Sequence, residues 1–462
     1  MTNHPSRSSE RTQAFYLLWY SVGTLSGVAG LIAFFFGLAQ GMSYLTTLGF
    51  TLVAVPFVAP LLYRGIQLRR PIALVLPVFA GYNIASALLA NTATASLQLA
   101  LIVGASIAFA VGVGITLPKV VAIDVSASAG PLRVRTRLLA LVVAAGVLLS
   151  LASFATGGIP VLSSQVAEAR LEAFSNGVEG TLITTSLTVA IIIGGVGVFN
   201  RRGKERLPWL LLLLLGFVVM YGFGNRGLYF IPLLTVLAYA VIQRPSRLPA
   251  ILVLGAVLIA GISAAGFSRD LQAFGPTHLA NLRATGLPEE LLYLGPVVTY
   301  FTGTSTALDH IIRIFPNTVP HPNGATFFAA MLSPLPGNQP TPGQFLKDSL
   351  GLQFTGGGLA TGAIGGFYMD FGILGLLIGM VLLGVLAKFA AAWSWKGPRA
   401  LTVFSYLITH LWFMNYSHPL TYMTVLTIPL ILFLVQKPDE RAEEGGTYGR
   451  NVRALPSATN VR

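Results

Sequence analysis

The feature that most limits what this chain can fold into is a succession of long apolar runs with almost no charge inside them. A bilayer's hydrocarbon core is about 30 Å thick, so a helix of roughly 17 to 25 apolar residues crosses it. On that criterion about twelve transmembrane helices are expected, near 15–39, 45–63, 71–90, 97–118, 138–155, 181–199, 207–223, 227–243, 249–266, 361–387, 400–416 and 419–435. Composition agrees: 10% of the 462 residues are charged and 54% hydrophobic, where a soluble protein carries about 25% charged residues. The chain reads as an all-α polytopic membrane protein. Residues 1–14 are polar and carry Arg7 and Arg11. The apolar run after them has no small-residue cleavage site and reads as a retained first span. Pro56 and Pro60 are expected to kink the second span, which is tolerable where neighbouring helices satisfy the freed carbonyls.

Lysine and arginine concentrate in the short loops that stay on the cytoplasmic side. With the N-terminus inside, the inner loops hold Arg64, Arg69 and Arg70; Lys119, Arg133, Arg135 and Arg137; Arg201, Arg202, Lys204 and Arg206; Arg244 and Arg247; and Lys388, Lys396 and Arg399. The short outer loops hold Arg170 and Arg226. A missed or invented span would break this alternation, so both termini are placed in the cytoplasm. The formal charge of +13 is then mainly a topology signal, and no nucleic-acid module is visible. The absence of cysteine excludes disulfides, thiolate chemistry and Cys-ligated zinc or iron–sulfur sites. The expected organisation is a cytoplasmic tail over 1–14 and the first nine helices over 15–266, with an external loop at 156–180. A large extracytoplasmic loop with short helices over 267–360, three further helices over 361–435 and a cytoplasmic disordered tail over 436–462 follow.

Loops as long as the one between the ninth and tenth helices are normally functional or disordered, and clusters of Leu, Phe, Ile and Tyr argue against disorder here. Thr304 to Phe315 reads as an amphipathic helix with a Thr/Ser cap. Leu308, Ile311, Ile312 and Phe315 share one face, while Asp309 and Arg313 stand i,i+4 on another. Prolines from Pro316 to Pro342 impose an extended, turn-rich path, and a glycine-rich stretch from Gly351 to Gly366 leads into the tenth span. Asp370 reads as a first-turn residue of that span, favoured by the helix dipole. No matched halves of the kind found in many transporters are evident. Outside the cytoplasmic loops, the polar break Gly224-Asn225-Arg226-Gly227 stands out, because an arginine at membrane depth costs on the order of 2.5 to 3.5 kcal/mol. It either anchors the helix by snorkelling or works on something anionic.

Gly157-Gly158-Ile159-Pro160-Val161-Leu162 followed by Arg170, the Gly224–Gly227 turn, the late large loop, and Gly366-Phe367-Tyr368-Met369-Asp370-Phe371-Gly372-Ile373-Leu374-Gly375 together resemble the bacterial oligosaccharide repeat unit polymerases, the O-antigen polymerase or Wzy family. The resemblance runs from about 157 to 387. It implies a polymerase/ligase architecture like that of the GT-C glycosyltransferases, in a bacterial cytoplasmic (inner) membrane, with the active site outside. It further implies donor and acceptor glycans carried on undecaprenyl diphosphate, membrane lipids as surroundings, no cofactor, and a chain-length regulator as partner. The growing chain would pass from its carrier to the non-reducing end of a new repeat unit. Usual GT-C enzymes carry a catalytic acidic residue, often with a metal, in the first external loop; residues 40–44 hold none. The reaction expected is therefore metal-independent, with guanidinium groups stabilising the leaving diphosphate.

On this reading Arg226, Arg170 and Arg313 surround the diphosphate, and the backbone of Gly357 and Gly358 offers further N–H groups to it. His310 is the first candidate to take or orient the acceptor proton, with Asp309 or His278 behind it and Arg283 as a further basic candidate. Duller readings stand beside each: Arg170 paired with Glu168 or Glu172, Asp309 and Arg313 as an ordinary helix pair, the glycines as flexible joints or close contacts. Three competing functions also stand. An O-antigen ligase uses the same donor with a different acceptor. A transporter of lipid-linked glycan would need charged residues inside the spans. A peptidoglycan-type polymerase would depend on a carboxylate such as Asp270 or Asp309.

Overall fold

The computed structural model describes residues 29–35, 43–90, 92–115, 132–163, 177–224, 226–244, 289–332, 340–353, 358–417 and 423–437, with 169, 173, 267, 271, 279 and 283. The expected ninth span at 249–266 and most of the first lie outside these residues. Among the described residues the fold is all helical and has no strand, apart from an isolated antiparallel bridge between Val134 and Gln436. That is what a lipid-facing chain requires, since a helix satisfies its own backbone where no water can.

After a helical stretch over 29–35, the helices in chain order are α1 (Ser43–Leu68), α2 (Pro71–Ala90), α3 (Ala95–Gly114), α4 (Thr136–Gly157), α5 (Gly177–Asn200), α6 (Leu207–Gly222) and α7 (Arg226–Gln243). There follow α8 (Gly295–Ile314), α9 (Ala325–Leu332), α10 (Pro342–Ser349), α11 (Gly362–Ser394), α12 (Pro398–Phe413) and α13 (Thr424–Val435). Each described apolar run became a helix near its expected bounds, with α11 running seven residues past its expected end at 387, and α1 continues through Pro56 and Pro60. Six segments among the described residues are long and apolar enough to cross a membrane: Pro71–Ala90, Ala95–Gly114, Thr136–Leu162, Gly177–Asn200, Gly203–Gly222 and Gly362–Ser394. The helices α7 and α13 are apolar but shorter.

Lipid tails are as apolar as leucine, so helices in a bilayer associate by close packing at small residues. Two such seams among the described residues organise the bundle. At the first, a side chain on Gly112 of α3 would run into the Val381 carbonyl of α11, and one on Gly384 of α11 into the Phe109 carbonyl of α3. At the second, α5 is the central helix, with 78% of its span buried. Its Gly194 and Gly197 admit the Leu213 backbone and the Trp209 ring of α6, its Gly195 admits Val236 of α7, and Gly146 of α4 admits Ser186 of α5.

The basic loops gather at one end of the bundle. Arg69, in a left-handed turn between α1 and α2 (φ 47°), is buried beneath the C-terminus of α11. It donates to the Ser394 carbonyl at 2.6 Å and lies 3.9 Å from the Trp395 ring centroid. Burial pushes its guanidinium down to about 10, so it stays charged at neutral pH. At the same end Lys388 donates to the Ile115 carbonyl, Arg135 N–H to Val435, and Lys437 N–H to Arg133. Among the described residues, Arg69, Arg133, Arg135, Lys388 and Lys437 thus share one end of the bundle.

Two expectations are corrected. The helix expected to start at Thr304 starts at Gly295, so Thr304 and Ser305 lie mid-helix and buried rather than capping; their hydroxyls are used on neighbouring helices instead. Asp370 is not in the first turn of α11 but nine residues into it, at 1% exposure, just before a break at Gly372 (φ 67°, ψ −160°).

Candidate functional site

The site is built on α8, which lies across the end of the bundle away from the basic loops. One of its faces is apolar: Leu308, Ile311, Ile312 and Phe315 are buried, with Leu308 and Ile311 against Gly365 of α11. The other is fastened by polar groups of α2 and α3. Tyr82 donates to the Tyr300 carbonyl at 2.8 Å and stacks on Phe301, and Ser86 donates to the Phe301 carbonyl. Gln98, 1% exposed, donates to the Ser305 carbonyl and accepts from its hydroxyl. A buried amide oxygen left unpaired at this depth would cost several kcal/mol; the Gln98 nitrogen also donates to the Thr92 and Thr94 hydroxyls, and its oxygen takes its hydrogen bond from Ser305 of α8. Asn83 donates to Asn415 at 2.8 Å, and the carbonyls of Met414 and Tyr416 accept the first N–H groups of α11. The N-terminus of α11 is thereby tied to the same cluster.

These bonds set the position of Asp309. The residue is 5% exposed. One oxygen accepts from the Thr94 hydroxyl at 2.7 Å and the Thr94 N–H at 3.2 Å, and the other pairs with an Arg313 Nη at 2.9 Å. The Arg313 side chain is 53% exposed. A guanidinium has five N–H donors, so a buried carboxylate fixes one edge and leaves the rest facing outward. His310, the next residue on α8, is half-buried.

The other motif stretches converge at the same end. Gly158 (φ 77°) stops α4 and leads into the short turn Pro160–Leu162, and Gly224 (φ 67°) stops α6. The rings of Phe154 and Phe223 are 4.7 Å apart, and a side chain on Gly222 would meet Phe154 and Ile159. The Gly-Ile-Pro turn and the turn before Arg226 are therefore packed together. Arg226 opens α7, whose other end meets α5 through Asn200 and Tyr239 at 2.9 Å. The N-terminus of α7, the positive end of its dipole, thus lies at the end of the bundle that carries α8.

Arg170, His278 and Gly357 lie outside the described residues, and Arg226 is described by its backbone. Arg283 is an exposed partner of Glu289 at 3.0 Å, and nothing in that pair ties it to α8. Gly358 packs directly on the backbone of Gly343, with Leu359 N–H bonded to the Gly343 carbonyl at 3.0 Å. The close-contact reading of that glycine is the one its surroundings support.

Sequence reasoning overlooked Thr94, Gln98, Tyr82 and Asn83. The signal was present: amides and hydroxyls inside or beside apolar spans are expensive unless they meet a partner. It also overlooked what surrounds Asp370. Thr326, in the first turn of α9, donates to Asp370 at 2.6 Å. His321 Nδ1 is 2.8 Å from the Met369 carbonyl, which can only accept, so that nitrogen carries the proton. A side chain on Gly372 would come within 3.3 Å of His321 Nε2. The Asp-Phe-Gly stretch is the joint onto which the segment after α8 docks.

Apolar helices joined through glycine seams, one pole basic, and an amphipathic helix fastened over the opposite pole define a membrane protein with a polar site at one end of the bundle. The family follows from comparison. The model of the O-antigen polymerase family matches residues 71–413, most of the 462-residue chain, and the chain belongs to that family. The family implies a glycosyltransferase-like polymerase in a bacterial membrane, with lipid-linked oligosaccharides as substrates and polysaccharide or lipopolysaccharide biosynthesis as its setting. No curated protein and no solved structure gives a match to the chain.

Proposed function

We propose that this polymerase transfers a growing oligosaccharide from undecaprenyl diphosphate to the non-reducing end of a lipid-linked repeat unit. The reaction takes place at the extracytoplasmic face, on a frame of about twelve spans with both termini in the cytoplasm. The observation that carries the reading is the Thr94–Asp309–Arg313 chain, which presents an outward guanidinium at the pole away from the basic loops. In the reaction the bond from the sugar's anomeric carbon to the diphosphate breaks, its electron pair leaves with the diphosphate, and the acceptor hydroxyl forms the new glycosidic bond. Arg313, Arg226 and Arg170 stabilise the charge that develops on the leaving group, and no metal takes part. The acceptor's proton passes to His310. Asp309 is already held by Thr94 and Arg313, which suits a positioning role better than that of base.

Deleting the gene and resolving the surface glycan by gel tests the function. Loss of the ladder with single-repeat capping retained is expected. Loss of every repeat unit from the lipid anchor means a ligase, and accumulation of lipid-linked units in the cytoplasm means a transporter. Within the clamp, Arg226→Lys keeps the charge and removes the two-pronged geometry, so polymer formation in cells should fall; full retention refutes that part.

A further inference from the structure

The helices α4 and α6 both pack on α5 and barely on each other, and between them runs an apolar groove of about 500 Å³. Its walls include Val143, Ala144 and Val147 of α4 and Trp209, Leu212 and Leu215 of α6. Both helices are otherwise turned outward, with 22% of the span containing α4 and 17% of that containing α6 buried. Trp209 is seated on Gly197 of α5, which makes that wall rigid. The groove opens at the basic pole: Thr136 and Pro208 also line it; Arg135 and Arg137 flank Thr136, and Lys204 and Arg206 precede Pro208 in the short turn before α6, all four exposed, with Arg206 Nε donating to the Arg201 carbonyl at 2.7 Å. Glu205, between Lys204 and Arg206, is paired with Arg201 at 3.6 Å.

We propose that this groove is a binding site for one anionic diacyl phospholipid, its chains along α4 and α6 and its phosphate on the arginines at the mouth. An apolar slot at membrane depth under a cluster of guanidinium groups matches that ligand in both halves, and basic pockets between transmembrane helices bind such headgroups. A second copy of the chain fits poorly, because two-fold pairing through this face would set the same basic rim against itself. The site lies at the pole opposite α8 and is independent of the transfer site.

The test uses the full-length protein purified in detergent, with phosphatidylglycerol or phosphatidylcholine of identical chains added. Retained lipid is read by native mass spectrometry and stability by thermal unfolding. Phosphatidylglycerol should be retained at one molecule per chain and raise the melting temperature above the phosphatidylcholine value. Arg135→Gln with Arg137→Gln and Arg206→Gln should weaken retention on the order of 100-fold, at the contribution per charge seen for juxtamembrane basic residues. Ala144→Phe fills the groove at an exposed position, leaves every charge in place, and should abolish retention. Arg70→Gln with Lys396→Gln removes two exposed charges from the same pole and should change nothing. Retention surviving Ala144→Phe, or lost equally in the Arg70/Lys396 control, overturns the site in favour of diffuse surface attraction. A crosslinked dimer through α4 and α6 that excludes lipid overturns it in favour of self-association.

Discussion

Replacing Arg313 by lysine separates the part of that side chain that holds the structure from the part assigned to the diphosphate. Lysine keeps the charge and can reach Asp309 across one helical turn. The loss in folding stability is bounded by the value of a half-exposed i,i+4 pair, about 0.3 to 0.5 kcal/mol, since the Arg313 side chain is 53% exposed. What lysine cannot do is hold Asp309 with one edge and offer a second, planar edge to a phosphate oxygen. A hydrogen bond to a charged group is worth about 1.5 to 3 kcal/mol. At about 1.36 kcal/mol per factor of ten, losing one in the transition state slows transfer roughly 10- to 150-fold. The assay is polymerisation of lipid-linked repeat units by purified enzyme in nanodiscs, with thermal unfolding measured on the same preparations. Turnover down by at least tenfold with an almost unchanged melting temperature is the expected pair of results. Full turnover with lysine would refute the assignment of Arg313 to the leaving group. A large drop in melting temperature alongside the lost activity would refute the claim that the outward edge of the guanidinium carries no structural load.

Two further predictions concern the supports of the site. Thr94→Val removes the 2.7 Å bond to Asp309 while leaving the N–H bond and the volume; it should cost about 1.5 to 3 kcal/mol of stability and lower turnover, with Thr94→Ser restoring both, read by thermal unfolding and the same polymerisation assay. Gly372→Ala places a side chain at φ 67°, ψ −160°, beside His321. Backbone strain in that region is of order 1 to 3 kcal/mol, so the melting temperature should fall, and protease protection of the segment around His321 should fall with it.

Much of the fold was legible because a bilayer leaves few choices. Apolar runs such as Leu207–Phe223 have to be helices, and the loop arginines mark which helix ends lie together. The amphipathic face of α8 was legible for the same reason: Leu308, Ile311, Ile312 and Phe315 repeat at helical spacing and are buried. The start of α8 was not, since Thr304 and Ser305 look like caps until their partners Tyr82 and Gln98 are known. Asp370 misled in the same way. Its side chain answers to Thr326, 44 residues distant, and not to its own helix.

The sequence by itself determined the class of protein, the helical state of the described apolar runs, the family resemblance and the Asp309–Arg313 pair, all of which rest on local periodicity, motif or composition. The tertiary structure alone decided that Thr94 holds Asp309, that the Gly-Ile-Pro turn packs on the turn before Arg226, that Asp370 meets α9, and that α4 and α6 leave a groove under a basic rim. The physical reason is range. Hydrophobic periodicity and charge bias are written within one helix, whereas the partner of a buried polar group is chosen by which helices the glycine seams allow to touch.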